Sequence, residues 1–126
     1  MKKILLVEDE EDIAAVLNMV LKDSEYEVEC FTDPVLALKD FRTGYYDLVI
    51  LDIKMPDMDG FELRRQIKKT DGDVKVCFLT ASELYYEEFR KELGLDDIVL
   101  DKDLFLRKPI QNEELIKEIT RIINSN

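Results

Sequence analysis

Short apolar runs alternate with amphipathic stretches along most of the chain. Ile4 to Val7 and Leu48 to Leu51 are apolar at every position, and Val74, Val76, Cys77, Phe78 and Leu79 nearly repeat the pattern. A strand of this kind has no solvent-facing side, as expected of central strands in a parallel sheet. Tyr26 to Phe31 alternates instead, which places it nearer a sheet edge. Leu104 to Leu106 is one more short run, ending at Arg107-Lys108-Pro109.

Helical spacing fills the intervals. Ile13, Val16, Leu17, Val20 and Leu21 predict a helix over 11–22, and the acidic residues at its start suit the helix dipole. Asp33-Pro34 is a start signal for a second helix carrying Val35, Leu38 and Phe41 and ended by Gly44. Asp59 caps a third through Lys69, with Phe61, Leu63 and Ile67 as its apolar side; Asp71-Gly72-Asp73 is the following turn. A helix is expected over 82–93 with Gly94 as its C-cap, and residues 95–103 mix apolar and acidic positions without a clear assignment. The last helix spans 112–123 on Leu115, Ile116, Ile119, Ile122 and Ile123, followed by a polar tail. Five strand–helix pairs in strict alternation predict an α/β fold: a parallel five-stranded sheet, right-handed crossovers and one domain over residues 1–126.

Composition narrows the function classes. The 126 residues are enough for one core without disulfides or a structural metal. A net charge of −11 disfavours direct nucleic-acid or membrane binding and points to a basic partner surface or a bound cation. Cys30 and Cys77 lie in strand-like runs and read as buried hydrophobes. There is no histidine, which removes histidine-based catalysis and histidine-ligated metal sites. No signal peptide or membrane-spanning run is visible, so a cytoplasmic location is expected.

The candidate chemistry lies where the strands end, the edge at which open α/β sheets place their sites. Strand one ends at Glu8 and Asp9, strand three at Asp52, strand four at Thr80 and strand five at Lys108. Clustered carboxylates require protonation or a cation, and oxygen ligands without His or Cys select Mg²⁺, Mn²⁺ or Ca²⁺ over zinc. An ammonium and a hydroxyl beside such an ion complete a phosphoryl-binding set. No Gly-rich phosphate loop precedes a helix, so the remaining anchor is covalent, with central Asp52 as nucleophile.

Glu8-Asp9, Asp52 within Leu51-Asp52-Ile53-Lys54-Met55-Pro56-Asp57-Met58-Asp59-Gly60, Thr80-Ala81 and Lys108-Pro109 occur in order at successive strand ends. In these residues the chain resembles a response regulator receiver domain of two-component signalling, over essentially its whole length. The resemblance implies a flavodoxin-like (βα)5 three-layer sandwich of strand order 2-1-3-4-5. It also implies phosphoryl transfer to Asp52 from a sensor histidine kinase or a histidine phosphotransfer protein. Asp9, Asp52 and the backbone carbonyl of Lys54 would hold Mg²⁺, with Mn²⁺ as the alternative, and Glu8 would act through a water. Lys108 would pair with the phosphoryl oxygens and Thr80 would move to bond them. Phe105 would change rotamer with Thr80, and Pro109 would follow a cis peptide bond. Lys54 and Ser82 match the variable positions that tune dephosphorylation.

Output would pass through a downstream protein target at a surface around residues 82–93 and the fifth strand. The expected state is a monomer or weak homodimer, with no DNA-binding or enzymatic output domain after the last helix. The interval from Thr80 to Lys108 is longer than the family norm, with the excess around 95–103, which bears on Phe105 and on dimerisation. Tyr85, Tyr86 and Phe89 are candidates for a partner-binding patch as well as for the core. Two other readings share these residues: a small Mg²⁺-dependent phosphatase or phosphotransferase with Asp52 as catalytic nucleophile, and a non-switching pseudo-receiver. A receiver excised from a longer regulator or hybrid kinase is a variant of the first reading.

Overall fold

The apolar runs assemble into a parallel sheet in a computed structural model that describes residues 1–80, 105–107 and 111–125. In chain order the elements are β1 (Lys3–Val7), α1 (Glu11–Asp23), β2 (Glu27–Phe31), α2 (Pro34–Lys39), β3 (Leu48–Asp52), α3 (Gly60–Thr70), β4 (Val76–Thr80), β5 (Phe105–Arg107) and α4 (Asn112–Asn124). β1 pairs in parallel with both β2 and β3, Leu6 facing Cys30 on one side and Ile50 on the other. β3 continues to β4 with Leu51 beside Phe78. The short β5 is recorded beside β4, Phe105 next to Phe78. The helix expected over 82–93, its Gly94 cap and the 95–103 segment lie outside the described residues.

The strand period of two divides the core between the sheet's faces. Leu5, Val7, Val49, Leu51, Val76 and Phe78 face α2 and α3 in one apolar cluster with Phe61, Leu63 and Ile67. Ile4, Leu6, Leu48, Ile50, Cys77 and Leu79 join Leu17 and Leu21 of α1 and Leu115, Ile119, Ile122 and Ile123 of α4 in the other. Each fully buried Leu, Ile or Phe of these layers is worth about 1.5–3 kcal/mol of burial. β2 is an edge strand, and its alternating sequence fits that place. No helix among the described residues is long and apolar enough to cross a membrane.

Two helical details differ from the sequence pattern. α2 begins as expected, with Pro34 in its first turn and the Asp33 side chain accepting from the Val35 N–H at 2.9 Å. It stops at Lys39 rather than near Gly44, which takes φ 73° inside the following loop. That loop is pulled onto the sheet by its aromatic residues: Tyr46 is buried, and its ring centroid lies 5.3 Å from that of Phe41. Phe41 therefore packs on the core from irregular chain, and its spacing from Leu38 was not a helical stripe. In α1 and α2 the small residues Ala14 and Ala37 are buried, whereas Val16 and Val35 are about half exposed, at 49% and 47%.

Candidate functional site

Parallel pairing of β1 with β3 ends at Val7 and Leu51, which sets Glu8 and Asp52 side by side just past the last pair. Glu8 is held in line because its N–H donates to the Phe31 carbonyl of β2 at 3.0 Å. Its side chain is buried, and a carboxylate oxygen accepts from the Glu10 N–H at 3.2 Å. Asp52 is half-buried, and its Oδ1 accepts from the N–H of Ile53 at 2.9 Å. Asp9, also half-buried, completes the group: one carboxylate oxygen from each of Glu8, Asp9 and Asp52 lies within 4.8 Å of the others.

Three ionised carboxylates this close repel by about 3 kcal/mol per pair at an effective dielectric of 20, and by less where water screens them. A divalent cation relieves that repulsion, and an all-oxygen donor set suits Mg²⁺ or another hard ion. The residues present thus fit the metal that the sequence pattern implies. The thiols do not compete as ligands. Both cysteines are free; burial pushes Cys77 up to about 12 and raises Cys30 as well, so both stay protonated near neutral pH.

After Asp52 the chain makes a tight loop whose sides alternate in burial. Ile53 and Met55 turn into the core, while Lys54 between them is exposed. Met58 N–H donates to the Pro56 carbonyl at 2.8 Å around Asp57, which adopts φ 71°. Asp59 then caps α3 through the Glu62 N–H at 2.9 Å, and Gly60 N–H closes the loop on the Ile53 carbonyl at 2.7 Å. The inward turn of Ile53 and Met55 was not part of the sequence reading; their 2-residue spacing was the available signal.

Of the other expected site residues, Thr80 ends β4 beside Arg107, and Phe105 opens β5; for both the described part is the backbone. Lys108, Pro109 and Ser82 lie outside the described residues, as do Tyr85, Tyr86 and Phe89. The geometry therefore unites Glu8, Asp9 and Asp52, and places Thr80 one strand further along the same edge.

Comparison with known proteins gives a consistent result. The family model of the response regulator receiver domain matches residues 4–120. The alkaline phosphatase synthesis transcriptional regulatory protein PhoP of Bacillus subtilis is 36% identical over 122 residues, 97% of this chain and 48% of that protein. The chain spans about half the length of the curated relatives it matches. Among solved structures, the non-phosphorylated HemR receiver domain of Leptospira biflexa aligns with a TM-score of 0.80 at 30% identity, covering 100% of this chain and 97% of that one. The response regulator protein TrrA of Thermotoga maritima, in complex with Mg²⁺-BeF, aligns with a TM-score of 0.80 at 34% identity, covering 97% and 99%.

Proposed function

Because this chain belongs to the response regulator receiver domains, we propose that it is a phosphorylation-driven signalling switch whose phosphoacceptor is Asp52. The observation that carries the reading is the convergence of Glu8, Asp9 and Asp52 at the carboxyl ends of β1 and β3. A carboxylate oxygen of Asp52 attacks the phosphorus of a phosphohistidine on a sensor kinase or a histidine phosphotransfer protein. The new O–P bond forms as the P–N bond breaks, and the electron pair leaves on the imidazole nitrogen.

Asp9, Asp52 and the backbone carbonyl of Lys54 would hold Mg²⁺, or Mn²⁺ in its place, with Glu8 acting through a water; when bound, the ion supplies charge neutralisation at the phosphoryl oxygens. Lys108 pairs with those oxygens, and the Thr80 hydroxyl donates to them once the acyl-phosphate has formed. Phe105 would change rotamer with Thr80, and Pro109 would follow a cis peptide bond, as the resemblance implies. The fold that goes with this reading is the flavodoxin-like five-stranded sandwich of order 2-1-3-4-5, with residues 1–126 as one receiver domain. Its receiver role is catalytic only toward its own phosphoryl group.

The readout is a two-state equilibrium that phosphorylation biases, expressed at a surface around residues 82–93 and β5. A downstream protein target is supported by relatives described as transcriptional regulatory proteins. The net charge of −11 supports an output through protein contacts without direct nucleic-acid or membrane binding by this domain, which acts in the cytoplasm as a monomer or weak homodimer. Intact mass after incubation with a small-molecule phosphodonor tests the assignment. Wild type gains one phosphoryl group only with Mg²⁺, and Asp52→Ala gains none; labelling that survives in Asp52→Ala sinks it.

A further inference from the structure

We propose that Gly60 is a positioning residue for the Asp52 site: having no side chain, it lets α3 seat directly on the backbone of Asp52, and this contact sets how the Asp52 carboxylate and the Lys54 carbonyl are presented to a divalent cation. The inference rests on the switch reading of Asp52. A Cβ on Gly60 would stand 2.3 Å from the Asp52 carbonyl oxygen, 3.0 Å from Ile53 Cα and 3.1 Å from the Asp52 carbonyl carbon. All three are backbone atoms, so no side-chain rotation makes room. The strand end has little freedom to retreat, because β3 lies between β1 and β4 and Asp52 is paired with Leu79.

Relief must therefore come from α3 and the loop, which have to withdraw by on the order of 1 Å to regain ordinary contact. Two hydrogen bonds pass such a movement to the site. Gly60 N–H donates to the Ile53 carbonyl at 2.7 Å, and Ile53 N–H donates to Asp52 Oδ1 at 2.9 Å. Lys54 is the next residue inside the loop, between buried Ile53 and buried Met55, so its carbonyl moves with them. The demand on Gly60 is for space, since its φ lies outside the left-handed region, unlike that of Gly44 at 73°.

Mn²⁺ binding to the full chain, read from the electron paramagnetic resonance of the free ion, tests the proposal. The variants are Gly60→Ala and, as control, Gly72→Ala, where a Cβ would meet only the Lys68 carbonyl oxygen at 3.7 Å. Gly60→Ala is expected to unfold cooperatively, to shift the Ile53 amide resonance, and to bind Mn²⁺ about 10- to 100-fold more weakly, the usual loss when a group that orients a ligand is disturbed. Gly72→Ala is expected to match wild type. A folded Gly60→Ala with wild-type affinity and an unmoved Ile53 amide overturns the role of Gly60 and leaves the switch reading standing. A wild type that binds no Mn²⁺ overturns both. Should Gly60→Ala fail to fold, amide exchange in wild type decides: the Gly60 N–H is expected to be protected, and exchange at the rate of an unstructured chain refutes the contact.

Discussion

Toward the edge where the strands begin, polar side chains are dispersed in bonds to partners of opposite character. The carboxylate of Asp47 accepts from the Lys3 N–H at 2.8 Å. Glu29, midway along β2, accepts from Arg42 at 2.9 Å and from the Tyr46 hydroxyl at 3.2 Å, and Arg42 also lies 4.2 Å over the Tyr45 ring. Lys75, just before β4, donates to the carbonyls of Ile122 and Ile123 at 3.0 and 2.9 Å and also to that of Ser125, closing the end of α4. At the edge where the strands end, Glu8, Asp9 and Asp52 are gathered into one site instead. Dispersed pairs of opposite character hold elements together, whereas like charges in one place raise the energy of the fold and create affinity for a cation. Dispersed pairs and gathered carboxylates thus lie in different parts of one sheet.

The largest expected effect breaks the carboxylate edge. Asp9→Asn should lose at least about 100-fold in Mn²⁺ affinity, beyond the usual loss for an orienting group. In chelator-treated buffer the same variant should gain on the order of 1 kcal/mol in urea unfolding, because one like charge has gone. A variant that lost both affinity and stability would contradict the division between the edges. Lys75→Met should do the reverse. It removes charge-assisted bonds to the end of α4, costs about 1–3 kcal/mol of stability, and leaves Mn²⁺ affinity unchanged.

Alkaline pH sharpens the picture of the buried strands between the edges. Burial raises Cys77 from 9.0 to about 12, so its folded-state value lies above the unfolded one. Its contribution is fully present below pH 9.0 and is lost as pH rises toward about 12, because the unfolded thiol ionises first. The slope reaches at most about 1.4 kcal/mol per pH unit. Cys77→Val should flatten urea stability between pH 9 and 10, below the window opened by Tyr46, which burial and neighbouring Glu29 raise from 10.0 to about 12. An unchanged slope would refute the contribution of Cys77. The smallest effect is at Tyr46 itself: Tyr46→Phe should cost about 1 kcal/mol through the lost bond to Glu29, with no change in metal binding.

Much of this arrangement is legible residue by residue. Leu48 to Leu51 is apolar at every position because its strand is covered on both faces, and the same logic locates β1 and most of β4. Asp33 and Asp59 announce their helices because capping is a local hydrogen bond between near neighbours. Phe61, Leu63 and Ile67 are buried as their spacing suggests. By contrast, Phe41 extended the expected α2 too far, since an aromatic residue in a docked loop has the same hydrophobicity as one in a helix. Val74 is buried although β4 starts at Val76, for the same reason.

The candidate site divides along the same line. Which residue types close each strand is written in the sequence, and with parallel alternation it was sufficient to bring Glu8, Asp9 and Asp52 to one edge. Local pattern has no term for contacts between distant segments. The carbonyls that Lys75 caps lie 47 to 50 residues away, and Lys3 meets Asp47 across 44. The 2.3 Å that excludes a side chain at Gly60 likewise exists only once α3 has docked against the end of β3. The sequence by itself determined the order of elements and the chemistry at their ends, because both follow from the period and type of neighbouring residues. Tertiary structure alone decided the burial of Glu8, the inward turn of Ile53 and Met55 and the tolerance at Gly60, because each depends on how closely separate backbones approach.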